Sequence, residues 1–382
     1  MATRTVGIIL NGATSRIGST QHLKNALAPI RAEGGLVVGA DRVMPRVLLI
    51  GRDADRLAAL AREHRVESAT DLDAALSGPA YEVLFDAAVT HQRQATLEKA
   101  IAAGKHVYSE KPVAANVAAG RALVAAMAAR RLRHAAVEDK QYLPGLRKLA
   151  TLAESGFFGR IVGFRLEFGW WVFDGVEERC QRPSWNYRKA GGGGLILDMY
   201  AHFRYMIENI LGPIDRVACQ ATTAVPERVD ERGERYPVDV EDHTATLVTL
   251  ASGAVGSILA SWATRVRRDD LMTFQVDGTR GSAVAGLHRC YAQATGDTPK
   301  VTAFNPMIDL GIDYATRWQE VPAAGSYPNP YRVGWEDFLR HLVTGAPLRS
   351  DFSAGIRDVA FAEACYRSLA SGASIRLDDV LS

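Results

Sequence analysis

The chain has 382 residues, of which 47% are hydrophobic and 23% charged, and a formal net charge of +2. At about 100–200 residues per domain this implies two domains with ample core, and the near-neutral balance excludes a basic nucleic-acid footprint or an acidic tail. The four cysteines, Cys180, Cys219, Cys290 and Cys365, lie far apart with no CxxC pair, so neither a zinc site nor a disulfide framework is indicated and no metal is expected.

The opening MATRTVGIILNG has an apolar run broken by Asn11, too short for a signal-peptide core. Nowhere does the sequence run apolar for the length of a membrane helix. The expectation is a cytoplasmic protein with neither a membrane nor a nucleic-acid partner. Val6–Leu10 reads as a buried strand, His22–Ile30 as a helix, Val47–Ile50 as a second strand, and Asp53 as the N-cap of a helix to about His64. Val83–Asp86 is a third strand. His91–Ala103 is a helix ended by Gly104, a residue suited to the left-handed position. Val107–Ser109 is a fourth strand and His134–Val137 a fifth. The alanine-rich stretch Val113–Ala136 reads as containing a packed helix. Strands alternating with helices imply a doubly wound parallel sheet.

Past residue 140 the pattern changes. Pro144–Ser155 reads as a helix closed by Gly156, and Ile161–Trp171 as a long aromatic strand. Val217–Thr223, His243–Leu250, Ala254–Trp262 and Leu271–Asp277 follow as strands, the middle two joined by Ala-Ser-Gly, a hairpin signal. Trp335–Val343 and Ala354–Ala370 read as helices. The expected fold is α/β: an N-terminal Rossmann domain over 1–140, then an α/β domain over 141–382 built on a mostly antiparallel open sheet.

The segment VGIILNGATSRIG closes the first strand and contains Gly12-x-x-Ser15-x-x-Gly18. Glycines let the backbone bend tightly beside a pyrophosphate, which the N–H groups and dipole of the following helix then hold. Ser15 stands where glycine is more usual. A ribose-binding acid belongs about 20 residues on, at the end of the second strand. Asp41 is nearer that spacing, but Asp53 sits where LLIGRDADRLAALA runs from strand into helix. Asp53 is therefore preferred, with Arg52 beside it and Gly34–Arg46 as an inserted excursion. Arg52 could stack on adenine or accept a 2′-phosphate.

Two further segments bear chemistry: AGKHVYSEKP over 103–112, and AGGGGLILDMYAHFRYM over 190–206. Lys111 falls at the carboxyl end of a parallel strand, where ligands bind in open α/β sheets. Asp198 and His202 are spaced to share one helix face, and a carboxylate beside an imidazole suits proton transfer near neutral pH. Gly191–Gly194 before them suggest backbone passing close to a ligand.

With the strand–turn–helix start, these segments resemble the glucose–fructose oxidoreductase/inositol dehydrogenase (Gfo/Idh/MocA) family, in which an EKP tripeptide follows the fourth strand and a GGGxxxDxxxH-like motif opens a helix of the second domain. The resemblance runs from Val6 to about Ala370. It implies NAD as cofactor, with NADP admitted by Arg52, contacted by Gly12, Thr14, Ser15, Arg16, Ile17, Arg52, Asp53, Thr90, His91, Glu110 and Lys111. It also implies Lys111 and His202 as the proton-transfer and hydroxyl-anchoring pair, with Asp198 contacting substrate or orienting them; which of the two is the base stays open. The sequence departs from the family at Val89-Thr90-His91, where a Thr-Pro-Asn-like turn is usual, and at Lys140-Gln141-Tyr142, where an Asn-Arg-aromatic stretch is usual.

The loop from Arg179 to Lys189 carries Arg179, Arg182, Arg188 and Lys189 with Trp185 and Tyr187, and the preceding strand is expected to end Trp170-Trp171-Val172-Phe173. Aromatic faces stack on sugar rings and arginines grip anionic groups. Lys140, Trp171, Arg182, Trp185, Tyr187 and Arg188, with Lys111, Asp198 and His202, are thus the expected substrate contacts. The resulting expectation is an NAD(P)-dependent oxidoreductase acting on a ring hydroxyl of a sugar or glycoside, an anionic sugar included. An NAD-dependent oxidoreductive glycosidase and a non-catalytic dinucleotide-binding sensor are the alternatives. Apolar strands such as ATLVTL and VGSILASW leave a sheet face to be covered, so a homodimer or homotetramer is expected.

Overall fold

The computed structural model describes residues 2–171, 174–180, 182–301, 305 and 307–382. The chain divides into two compact units. The first holds residues up to 142 together with 328–361, and the second holds 143–327 with 362–380. Each has its own sheet.

In the first unit β1 (Thr3–Asn11), β3 (Asp41–Ile50), β4 (Glu67–Ala69), β5 (Val83–Asp86), β6 (His106–Ser109) and β7 (His134–Ala136) pair in parallel in the order β4-β3-β1-β5-β6-β7. This is a doubly wound Rossmann sheet, whose order reverses between β1 and β5. The expected second strand, Val47–Ile50, is the upper half of a longer one. Its lower half begins at Asp41 and takes β2 (Leu36–Val38) as an antiparallel neighbour, so the stretch expected as an excursion is largely a hairpin of the sheet. Asp41 therefore sits at the amino end of β3, about 30 Å of extended chain from the carboxyl end, which rules it out as the ribose acid. The short β4 and the helix Leu72–Ser77 went unforeseen.

The expected boundary also needs correction beyond residue 327. The helix Pro330–Thr344 belongs to the first unit, because Trp335, Phe338, Leu339 and Leu342 bury against its core, which includes Phe85 and Tyr108. Helix Phe352–Ser371 begins there too: Phe352 is fully buried and lies beside the His134 ring.

The second unit is built on a nine-stranded sheet. Its strands are β8 (Ile161–Gly169), β9 (Ile214–Thr222), β12 (His243–Leu250), β13 (Val255–Ser261), β14 (Met272–Gly278), β15 (Gly281–Ala285), β16 (Cys290–Ala294), β17 (Gln319–Glu320) and β18 (Ile375–Arg376). All pairs are antiparallel except β8–β13. A separate hairpin joins β10 (Glu227–Val229) to β11 (Arg235–Pro237). Alternation along β12 and β13 turns Thr246, Val248, Ile258 and Ala260 inward, and Leu247, Val255 and Leu259 outward. The expected strand through Trp171 ends at Gly169, and Val172 and Phe173 lie outside the described residues.

Candidate active site

The glycine turn comes straight off β1. Gly12 has φ +76°, and a Cβ there would lie 2.6 Å from the Ala87 carbonyl carbon, so the turn packs its backbone on the loop after β5. A Cβ on Gly18 would lie 2.5 Å from the Gly12 carbonyl oxygen. Ser15 occupies the unusual position usefully: its Oγ accepts from the Gly18 N–H at 3.0 Å and so ties turn to helix. The helix that follows, π-helical over Ile17–Leu27 and α-helical over Ala28–Ala32, has no acidic side chain in its first turn. Its amino end keeps the positive dipole that suits a pyrophosphate.

Asp53 follows β3 and caps the helix Ala54–His64, its Oδ1 accepting from the Arg56 N–H at 3.0 Å. The cap uses one carboxylate oxygen; the other suits a ribose hydroxyl, so these residues fit a dinucleotide. Arg56 reaches across to donate to the Thr14 carbonyl at 3.0 Å, which links the helix after β3 to the glycine turn. Arg16, Arg52 and His91 are exposed, and Thr90 opens the helix Thr90–Ala102.

Behind this surface lie two buried polar chains that sequence reasoning missed. At the point where strand order reverses, Asn11 donates to Asp86 Oδ1 at 2.8 Å. Arg93 donates to Asp86 Oδ2 at 3.1 Å, to the Pro112 carbonyl at 2.8 Å and to the Ala88 carbonyl at 2.8 Å. One guanidinium thus fixes the loops after β5 and β6. The second chain runs from Trp335 through His22 to Glu110, whose Oε1 lies 2.9 Å from His22 Nε2 and whose Oε2 accepts from the Lys111 N–H at 3.3 Å. Lys140 is paired with Asp139 at 2.5 Å, near the Tyr331 ring.

In the second unit the helix Leu195–Leu211 carries Asp198 and His202. Its amino end is already occupied. Glu241 Oε1 accepts from the Ile196 N–H at 2.9 Å and from the Tyr366 hydroxyl at 2.9 Å, while the Glu241 carbonyl accepts from Leu195 N–H at 3.0 Å. Burial pushes the Glu241 carboxyl above its ordinary value. The glycines before the helix serve this arrangement. A Cβ on Gly193 would collide with the Asn186 carbonyl oxygen, one on Gly191 would lie 2.7 Å from the Trp185 carbonyl oxygen, and one on Gly194 would lie 2.7 Å from Glu241 Oε1. Gly191 and Gly193 thus admit the backbone of Trp185 and Asn186, and Gly194 admits the Glu241 carboxylate.

Asp198 and His202, expected as a carboxylate–imidazole pair, each engage a partner of their own. Asp198 forms an ion pair with Arg182 at 2.9 Å, and His202 Nδ1 lies 2.7 Å from the Tyr205 hydroxyl. Trp171 and Trp185 are each 44% exposed. Tyr187, expected at the substrate, is instead a core residue. It is fully buried, its hydroxyl accepts from Cys180 Sγ, and its ring lies 5.3 Å from Trp262 and 4.2 Å beneath the Arg228 guanidinium. Arg188 lies over the Tyr236 ring at 4.3 Å. Among the described residues no cluster of His, Cys, Asp and Glu is arranged to hold a metal, and no helix is long and apolar enough to cross a membrane.

A Rossmann unit with its glycine turn at the strand-order reversal and an acid after β3 defines the dinucleotide-binding class. Comparison with known proteins makes this particular. Residues 12–137 match the oxidoreductase family with an NAD-binding Rossmann fold, and residues 146–284 match the GFO/IDH/MocA C-terminal domain. The chain belongs to the GFO/IDH/MocA oxidoreductase family, and its first unit is an NAD-binding domain. It is 41% identical over 367 residues to D-xylose dehydrogenase of Paenarthrobacter nicotinovorans, covering 94% of each chain. It is 25% identical over 345 residues to levoglucosan dehydrogenase of Pseudarthrobacter phenanthrenivorans, covering 85% of this chain and 87% of that one. A solved levoglucosan dehydrogenase in complex with NADH and L-sorbose shares the fold, with a TM-score of 0.81 at 23% identity over 99% of this chain and 100% of that one.

Proposed function

We propose that the protein is an NAD-dependent dehydrogenase oxidising a ring hydroxyl of an uncharged sugar. The observation that carries this reading is the 41% identity, over nearly the whole of both chains, to a D-xylose dehydrogenase. Bound NAD supplies the hydride acceptor. Lys111 and His202 divide the work on the hydroxyl, one taking its proton and the other anchoring it, and Asp198 holds a neighbouring hydroxyl or orients the pair. Gly12, Thr14, Ser15, Arg16 and Ile17 receive the pyrophosphate, with Thr90, His91 and Glu110 completing the cofactor contacts. Asp53 takes the ribose hydroxyls and disfavours a 2′-phosphate, so NAD is preferred over NADP despite Arg52. Lys140, Trp171, Trp185, Arg182 and Arg188 are the substrate-side contacts. An anionic sugar has less in its favour, because the charge of Arg182 already meets Asp198.

The test is Lys111→Met and His202→Ala. Each should lose most turnover, about a hundredfold or more as for a general acid–base group, while NADH still binds and the protein still folds. Near-wild-type turnover in either variant contradicts its role. A redox-neutral glycosidase would release an aglycone with no net NADH, and a sensor would bind NAD without turnover.

The outward face of the second sheet supports self-association. Leu247, Val255 and Leu259 are 61%, 54% and 44% exposed, and neighbouring strands set Ala245 beside Leu259 and Thr249 beside Val255. A partner copy would cover this apolar face. Light scattering should return a dimer or tetramer, and a stable monomer contradicts it.

A further inference from the structure

We propose that His22, locked in one tautomer by Trp335, is a positioning residue that holds the Glu110–Lys111 backbone in place for hydride transfer. This rests on the reading that Lys111 stands at the reacting centre. His22 is fully buried and ringed by aromatic side chains: Phe85 at 4.1 Å, Tyr331 at 5.0 Å, Trp335 at 6.3 Å and Tyr108 at 6.4 Å between ring centroids. A polar ring in such a place requires partners for both nitrogens.

The partners fix the proton. An indole N–H can only donate, and Trp335 Nε1 lies 3.0 Å from His22 Nδ1. Nδ1 is therefore the acceptor and carries no hydrogen. The ring proton sits on Nε2, which donates to Glu110 Oε1 at 2.9 Å. Glu110 Oε2 accepts from the Lys111 N–H at 3.3 Å. The donor of every bond is thus fixed: Trp335 donates to His22, His22 donates to Glu110, and the Lys111 N–H donates back to Glu110, so the chain ends on the peptide from which the Lys111 side chain departs. The other tautomer would set two N–H groups against each other at Trp335 and leave a lone pair facing a carboxylate at Glu110. Arg93 grips the far side of the same tripeptide at the Pro112 carbonyl. The EKP segment is thereby held from both ends.

A purely structural histidine would affect stability alone. A positioning histidine affects the rate, because small displacements of a reacting group are costly. The experiment uses the full chain with four variants: His22→Met, His22→Gln, Trp335→Phe and Lys111→Met. In the apo protein labelled with nitrogen-15 histidine, His22 should show the Nε2–H tautomer, and Trp335→Phe should shift its Nδ1 resonance. At saturating NAD and sugar, His22→Met should lower kcat about tenfold, with KM for NAD changed by no more than about twofold. His22→Gln, which can present an N–H to Glu110, should restore most of that loss. Trp335→Phe keeps the packing and should lose less than His22→Met, so the proposal stays testable if His22→Met does not fold. An Nδ1–H tautomer, wild-type kcat in folded His22→Met, or, where that variant does not fold, wild-type kcat in Trp335→Phe overturns the positioning role. Full turnover in Lys111→Met overturns the underlying reading instead, and with it the reason to position that lysine.

Discussion

Two glycine-rich helix starts look alike in this sequence and differ physically. The turn after β1 and the run Gly191–Gly194 each lead a helix away from a tight bend. In the first, the helix begins with no acidic residue in its first turn, and its capping contact is the neutral hydroxyl of Ser15, which accepts from the Gly18 N–H. Its positive end stays available to an anion. In the second, the carboxylate of Glu241 sits on the helix N-terminus and takes the Ile196 N–H. That end is met by the chain's own carboxylate, which disfavours a phosphate there. A glycine run signals close backbone approach, but only the structure says to what.

The comparison can be broken most forcefully at Gly12. Gly12→Ala forces a side chain into a φ of +76° and onto the Ala87 carbonyl. NAD affinity should fall by about tenfold or more, since left-handed strain alone costs about 1–2 kcal/mol. Binding unchanged by titration calorimetry would mean the turn does not touch the cofactor.

Gly193→Ala should act on stability instead. Its Cβ would meet the Asn186 carbonyl, and relief requires moving the 185–186 backbone. A loss of about 2–3 kcal/mol, typical of overpacking, should appear in denaturant unfolding with NAD affinity retained. Gly192→Ala, at φ +73° but in open space, should cost about 1 kcal/mol. If Gly193→Ala weakened NAD binding as Gly12→Ala does, the two helix starts would not be distinct.

Glu241 gives the smallest effect and the sharpest sign. Glu241→Ala removes the cap and should cost about 1 kcal/mol. Glu241→Gln keeps an oxygen to accept from Ile196 and Tyr366. Burial raises the Glu241 carboxyl above 4.5 in the folded protein. The folded state therefore holds this proton more tightly than the unfolded chain. That contribution is fully present below 4.5 and is lost as pH rises through the folded value. The Glu241→Gln variant should thus gain stability relative to wild type as pH climbs past 4.5. A difference that is flat with pH would show that burial does not govern this carboxylate.

Much of the architecture was legible. The apolar runs Val6–Leu10 and Val83–Asp86 have the length and continuity of buried parallel strands, and Asp53 announced its cap. What was illegible depends on distant partners. His22 reads as one of several polar residues on its helix, and its two partners are 88 and 313 positions away. Tyr187 sits in a charged loop, and nothing local reveals that Trp262 and Arg228 enclose it. The helix Pro330–Thr344 follows the second unit in sequence, but its Trp335 and Phe338 find their apolar neighbours in the first. Lys111 was legible only through the motif around it, since a lone lysine is ordinarily a solvated one.

Net oxidation of a sugar by NAD is tested by following both products of one reaction. Enzyme, NAD and D-xylose, with a panel of other sugars and glycosides, are mixed while nicotinamide absorbance and released aglycone are recorded together. NADH should form in step with sugar oxidised, with no aglycone released, and the signal should be lost in Lys111→Met. Aglycone released without net NADH would contradict net oxidation.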